Sequence, residues 1–184
     1  KGKLMKSPLN KKDEIIDENT VYMKIGMALI SIQRVEFVAK KLVELLIEFD
    51  KDVYGITSPI FLEKAPSLDK LEKYTLGNTL RLLKLNPKLS IQKEFDDYKN
   101  LRNLFAHGFW EKYLNTKSEV QKKKAIDTCY EVGIFSQKME SFFKGFLYLL
   151  ALQNVKDSSQ LKPEFKIMDA DFDFFMKSLK NKRF

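Results

Sequence analysis

From Glu18 onward, apolar side chains recur every three or four positions. Ile25, Ala28, Leu29, Ile32, Val35, Leu42, Leu45, Leu46 and Phe49 fall on one face of a single long helix. Gly55 marks its stop. The stretch TSPIFLEKAPS reads as a connector, with Ser58–Pro59 in the form of an N-cap followed by proline at the first helical position. Ser67 then caps a second helix, LDKLEKYTLGNTLRLLKL, which Asn86–Pro87 ends. A third helix is expected from about Leu89 to His107, stopped by Gly108 and followed by a polar loop, EKYLNTK. Ser118-Glu-Val-Gln121 has capping-box spacing and opens a fourth helix to about Asn154. Its inward stripe holds Ile126, Cys129, Val132, Phe135, Met139, Phe142, Phe143, Phe146, Leu149 and Leu150. After an irregular stretch, ADFDFFMKSLKNK forms a short last helix. The pattern predicts an all-α bundle of four long helices with short accessory helices, no strand and no fixed-period repeat.

Composition narrows this further. With 184 residues and 44% apolar content, one domain is expected. It divides into a basic leader (1–12), a core bundle (13–154) and a C-terminal extension (155–184). Fifteen Phe against seven Gly and five Pro favour packed helices over a turn-rich β fold. The single cysteine, Cys129, cannot form an internal disulfide, which suits a reducing cytoplasm. No apolar run nears the roughly 18 residues that span a bilayer. GFLYLLAL, the longest, reads as buried turns of a helix, so no membrane partner is expected. No signal peptide is visible either.

The net charge of +8 is unevenly placed. Residues 1–12 hold five Lys and no acid; residues 177–184 hold three Lys and one Arg. Setting those nine aside leaves 24 basic residues against 25 acidic, a balanced body between two flexible basic tails. That distribution permits an RNA partner but does not specify one.

The candidate chemistry sits in RNLFAHGFW, residues 102–110, which holds the only histidine and the only tryptophan. At about 100° per residue, Ile91, Phe95, Tyr98, Leu101, Phe105 and Phe109 share a buried face. His107 and Asn103 lie on the opposite, polar face as i,i+4 neighbours, so their side chains can touch. An exposed histidine favoured by a helix C-terminus is one reading of His107. Arg102 falls inside the apolar arc, where it must snorkel, find an acid or serve a ligand. It points about 140° away from His107 on an ideal helix. Convergence therefore needs the arginine's reach, a distorted helix end before Gly108, or a second copy of the motif from a partner chain. The small Ala106 would let a backbone or phosphate come close.

Other chemistries lack residues. One His and one Cys make no zinc set, and no phosphate-binding glycine loop or nucleophile elbow occurs. Asp96-Asp97 and Asp169, Asp171 and Asp173 read as solvated acids, so neither metal nor cofactor is expected. Mid-helix Cys129 reads as a packing residue.

At Arg102-Asn103-Leu-Phe-Ala-His107 the chain resembles the HEPN superfamily (higher eukaryotes and prokaryotes nucleotide-binding domains). That family carries Arg, a polar residue and then His near the end of the third helix of an α-helical bundle. Tyr74-Thr-Leu-Gly-Asn78 with Leu80-Arg-Leu-Leu83 is similar to the second helix of some bacterial members. The likeness in helix order spans about residues 20–154. The resemblance implies a homodimeric, metal-independent endoribonuclease that cleaves RNA by 2′-hydroxyl attack at a dimer-interface site, common in toxin–antitoxin, abortive-infection and anti-phage systems, with an antitoxin or other defence protein as partner. Its catalytic residues would be Arg102, Asn103 and His107. An imidazole moves protons near neutral pH, and a guanidinium stabilises charge on a phosphorane. Asn103 would orient His107 or a phosphate. Some HEPN toxins carry a modifiable Tyr two residues after the His; here Phe109 stands there, so that control does not carry over. Trp110 and Tyr113 offer rings for base stacking. Two other readings stay open: a non-catalytic HEPN module binding a nucleotide or protein, and a plain helical adaptor.

Overall fold

The computed structural model describes residues 16–49, 59–85, 91–116 and 118–184. All regular elements among them are helical. They are α1 (Glu18–Phe49), α2 (Pro59–Lys64), α3 (Leu68–Leu71), α4 (Leu76–Leu83), α5 (Gln92–Asn103), α6 (Glu119–Leu152), α7 (Pro163–Lys166) and α8 (Asp169–Asn181), with two π-helical segments after α5.

The frame is α1 packed along α6. Their contacts advance together along both helices. Glu119 accepts the Ile16 N–H at 2.9 Å, Lys24 Nζ lies 4.8 Å from the Tyr130 ring, and Arg34 meets Glu140 at 2.7 Å. The two helices therefore run parallel, with α5 returning antiparallel to α6. Phe95 contacts Phe142 and Phe143, while Tyr98 donates to or accepts from Ser136 at 2.7 Å.

Two apolar clusters fill this frame. The larger joins Val35, Leu42 and Leu46 of α1 to Leu76 and Leu80 of α4, Phe95 and Tyr98 of α5, and Met139, Phe142, Phe143 and Phe146 of α6. The smaller joins Val21, Ala28 and Ile32 to Phe105, Phe109, Tyr113, Ala125, Cys129 and Val132. The buried turns Gly145–Leu150 belong to α6, and among the described residues no helix is long and apolar enough to cross a membrane. Burial pushes the Cys129 thiol up to about 11, keeping it protonated and inert.

The inward stripe of α1 holds except at Leu29, which is exposed; Gly55, Ser58, Asn86, Pro87 and the Phe49 side chain lie outside what is described. Pro59 does open a helix. The single second helix is instead two. Thr75 Oγ accepts the Asn78 N–H, so the Tyr74–Asn78 stretch starts α4 and does not lie mid-helix. At Ser118 the start of α6 is right but the cap differs. Its hydroxyl makes no cap bond, and Glu119 bonds Ile16 and Lys122.

The C-terminal extension is no tail. Helix α8 lies antiparallel on α6, with Phe175 fully buried and stacked on Phe146, while Phe184 packs against Phe135 and Phe142. Of the four basic residues of 177–184, Lys177 and Lys180 therefore ride a docked helix, and Lys182 and Arg183 follow directly after it.

Glu140 ties α1 to α6. Burial alone would raise its carboxyl, but hydrogen bonds and charge from Lys144 at 2.6 Å and Arg34 at 2.7 Å outweigh that and lower it. A carboxyl lowered by folding adds stability above its unfolded value, and that stability is lost as pH falls through the folded value. The melting temperature is expected to drop as pH is taken below about 4.5, and Glu140→Gln to show a shallower drop. Thermal scans across acid pH check this.

Candidate functional site

Helix α5 does not stop at Gly108. The backbone continues as two π-helical segments, Leu104–Gly108 and Trp110–Leu114, joined at Phe109. The expected glycine stop and polar loop are thus replaced by a continuous widened helix. Gly108 has ordinary helical neighbours, and the Asn115 N–H donates to the Trp110 carbonyl, five residues back, at 3.0 Å. Aromatic packing accounts for the widening. Phe105, Phe109 and Tyr113 recur every fourth residue, and their rings pack at tilted angles with centroids 4.4 and 5.0 Å apart in the smaller cluster. An α-helix would rotate that stripe by about 40° per step, off the α1–α6 surface; wider turns keep it there. Tyr113 is buried, its hydroxyl accepting from Thr128 at 3.1 Å, and is not free to stack on a base.

The same widening acts on the motif. Arg102 and His107 are five residues apart, a separation that diverges by about 140° in an α-helix. In π winding the hydrogen bond spans five residues and each residue turns less, but only His107 lies in the wide turn, while Arg102 lies in the last turn of α5. Of the three features that convergence would need, the chain carries one, a distorted helix before Gly108.

His107 is exposed, on the polar side as expected, and makes no hydrogen bond among the described residues. It is not at a helix end, so it caps nothing. Asn103 is exposed too, but its Oδ1 accepts from Arg102 Nη1 at 3.4 Å and not from His107. That bond is long and weak. Arg102 is half-buried, with no carboxylate partner among the described residues. Its charge is close enough to Tyr98 to oppose the rise that burial imposes on that phenol. A partly buried guanidinium without an acid either reaches water along its stem or is available to an anion.

Asp96 pairs with Lys84, Asp97 pairs with Lys93 at 2.9 Å, and Asp169 and Asp171 sit in the first turn of α8, where carboxylates complement the helix dipole.

The sequence pattern missed a cleft beside the motif, about 260 Å³, between the first turn of α1 and the second wide turn. Tyr22, Trp110, Asn115 and Thr116 line it. The signal was available: VYMKIGMALISI carries more apolar positions than one buried stripe can absorb.

The chain matches no family model, no curated protein and no solved structure. Its functional reading rests on its own residues and their arrangement.

Proposed function

We propose that the chain is a metal-independent endoribonuclease of HEPN type, with Arg102, Asn103 and His107 as its catalytic residues. The observation that supports this reading is the π-helical segment Leu104–Gly108 directly after Arg102 and Asn103, with His107 exposed in it and Arg102 without a carboxylate partner among the described residues. His107 takes the proton from a ribose 2′-hydroxyl as its oxygen attacks the adjacent phosphorus. The P–O5′ bond breaks, and the proton is returned to the leaving oxygen. Arg102 stabilises the charge of the five-coordinate phosphorus, and the Asn103 amide N–H groups hold a phosphate oxygen. The products are a 2′,3′-cyclic phosphate and a 5′-hydroxyl, and DNA is left intact. Such an activity fits a toxin or anti-phage effector held in check by an antitoxin or other defence protein. The test is incubation of single-stranded RNA with the protein in excess EDTA. Cleavage with those ends, lost in His107→Ala and Arg102→Ala, supports the reading; cleavage that requires Mg²⁺ or survives His107→Ala refutes it.

The same proposal includes a homodimer, and α1 offers the face for it. Met23, Met27, Ile30 and Phe37, each more than half exposed, follow a four-three spacing with Arg34 along its outer side. Between Val21 and Gln33 the only charge is Lys24, which lies over Tyr130. A neutral seam is where two copies of a +8 chain can meet without repulsion. Around a two-fold axis at Ile30, Arg34 of one copy faces Gly26 of the other, where even a methyl would meet nothing within 4 Å. With Leu29, Tyr130 and Ile134, the exposed apolar area is on the order of the 800 Å² per partner of a stable pair. Ile30→Glu is expected to convert a dimer to a monomer in light scattering. A monomeric wild type would end the dimer proposal.

A further inference from the structure

We infer that the cleft between the first turn of α1 and the second wide turn is a binding site for one unpaired nucleobase of an RNA strand. The cleft is formed by two elements far apart in sequence. Trp110, three residues after His107, presents its indole from the wide turn and is 62% exposed. Tyr22, 52% exposed, presents its phenol from α1 across the same opening. The two rings line one opening, so their exposed faces form a shared apolar surface and are not scattered singly.

The rest of the lining has the donors and acceptors that a base edge needs. Asn115 and Thr116 bring an amide and a hydroxyl with no partner among the described residues, Glu18 brings a carboxylate and Lys122 an ammonium. Lys122 is held in place by Glu119 at 2.8 Å and by the Ile16 carbonyl at 3.3 Å, so it is fixed before any ligand arrives. Flat aromatic faces with polar groups at the rim are the chemistry by which unpaired bases are held: stacking on the ring, hydrogen bonds along the edge. The volume, about 260 Å³, lies at the low end for ligand pockets and suits a base more than a whole nucleotide.

The site rests on the ribonuclease reading for the choice of RNA as ligand, and it adds to that reading a grip on a nucleotide beside the one that is cut. Position along the strand would then be set by the stacked base, and the phosphate offered to Arg102 and His107 by its neighbour.

Trp110 is the only tryptophan, so its fluorescence reports on this cleft alone. The experiment titrates a single-stranded oligoribonucleotide of about six residues into the His107→Ala protein, which leaves the RNA whole. Saturable quenching is expected, with the dissociation constant raised about 5- to 100-fold in Tyr22→Ala and raised in Asn115→Ala. Tyr22 is exposed, so its removal leaves the fold in place, checked by circular dichroism. No saturable quenching, or an unchanged constant in Tyr22→Ala, overturns the site. Quenching by RNA that the wild type never cuts leaves the site standing and ends the ribonuclease reading; wild-type cutting without quenching does the reverse.

Discussion

Replacing His107 by alanine is expected to slow RNA cleavage by about 10²- to 10⁴-fold, the usual contribution of a positioned acid–base group. Arg102→Ala is expected to cost about 10²- to 10³-fold, because a preorganised cation acts on charge that appears only in the transition state. The two losses should differ in kind. His107 is exposed and bonded to nothing among the described residues, so its removal leaves stability unchanged. Arg102→Lys tests the planar guanidinium against a point charge; a lysine there keeps charge but loses the fork that grips two phosphate oxygens. Single-turnover cleavage assays on a short RNA, with melting curves for each variant, separate lost chemistry from lost fold. A His107→Ala protein that cuts at the wild-type rate would remove the proposed catalyst.

The second large effect concerns Gly145. Alanine here should destabilise the protein by about 1–3 kcal/mol, although alanine is the better helix former by about 1 kcal/mol. Gly145 is buried where α8 crosses α6. A methyl on it would overlap the Asp171 carbonyl oxygen and lie 2.5 Å from Phe175 Cβ. The obstacle is backbone, which cannot swing aside, so the helices must separate and uncover Phe175. Gly133, in the same helix, is the control: a methyl there meets nothing within 4 Å. Gly133→Ala should stabilise by about 0.5–1 kcal/mol. Urea titrations of the pair should move in opposite directions, with trypsin cutting faster at Lys177 and Lys180 in Gly145→Ala alone. Equal shifts of the same sign would mean that the crossing is looser than described.

These two sites also mark what the sequence could tell. The stripe from Ile91 through Phe109 and the α6 stripe were legible because burial on a helix leaves a three-four spacing, and those positions are buried except Leu101, Ile126, Phe135 and Leu149, which are partly buried. The placement of Arg102 inside and His107 outside followed from the same spacing. Three things did not follow. Winding was invisible, because Gly108 is as suited to ending a helix as to lying within one. Only the four-residue spacing of Phe105, Phe109 and Tyr113 hinted that the helix ran on and widened. The docking of α8 was hidden by its lysines, which suggested a tail, whereas Phe172, Phe175 and Phe184 give it a packed side. The cleft was hidden because Tyr22 and Trp110 are 88 positions apart, and no local pattern links them.

The division of the interior into two clusters has a mechanical result. The candidate motif stands on the lesser one, where α5 has given way to wide turns, while α4, α8 and the Phe-rich half of α6 lock the opposite end. The motif end rests on the smaller of the two clusters, so local opening is expected there before it reaches the half that α8 anchors, which hydrogen exchange would read as earlier loss of protection.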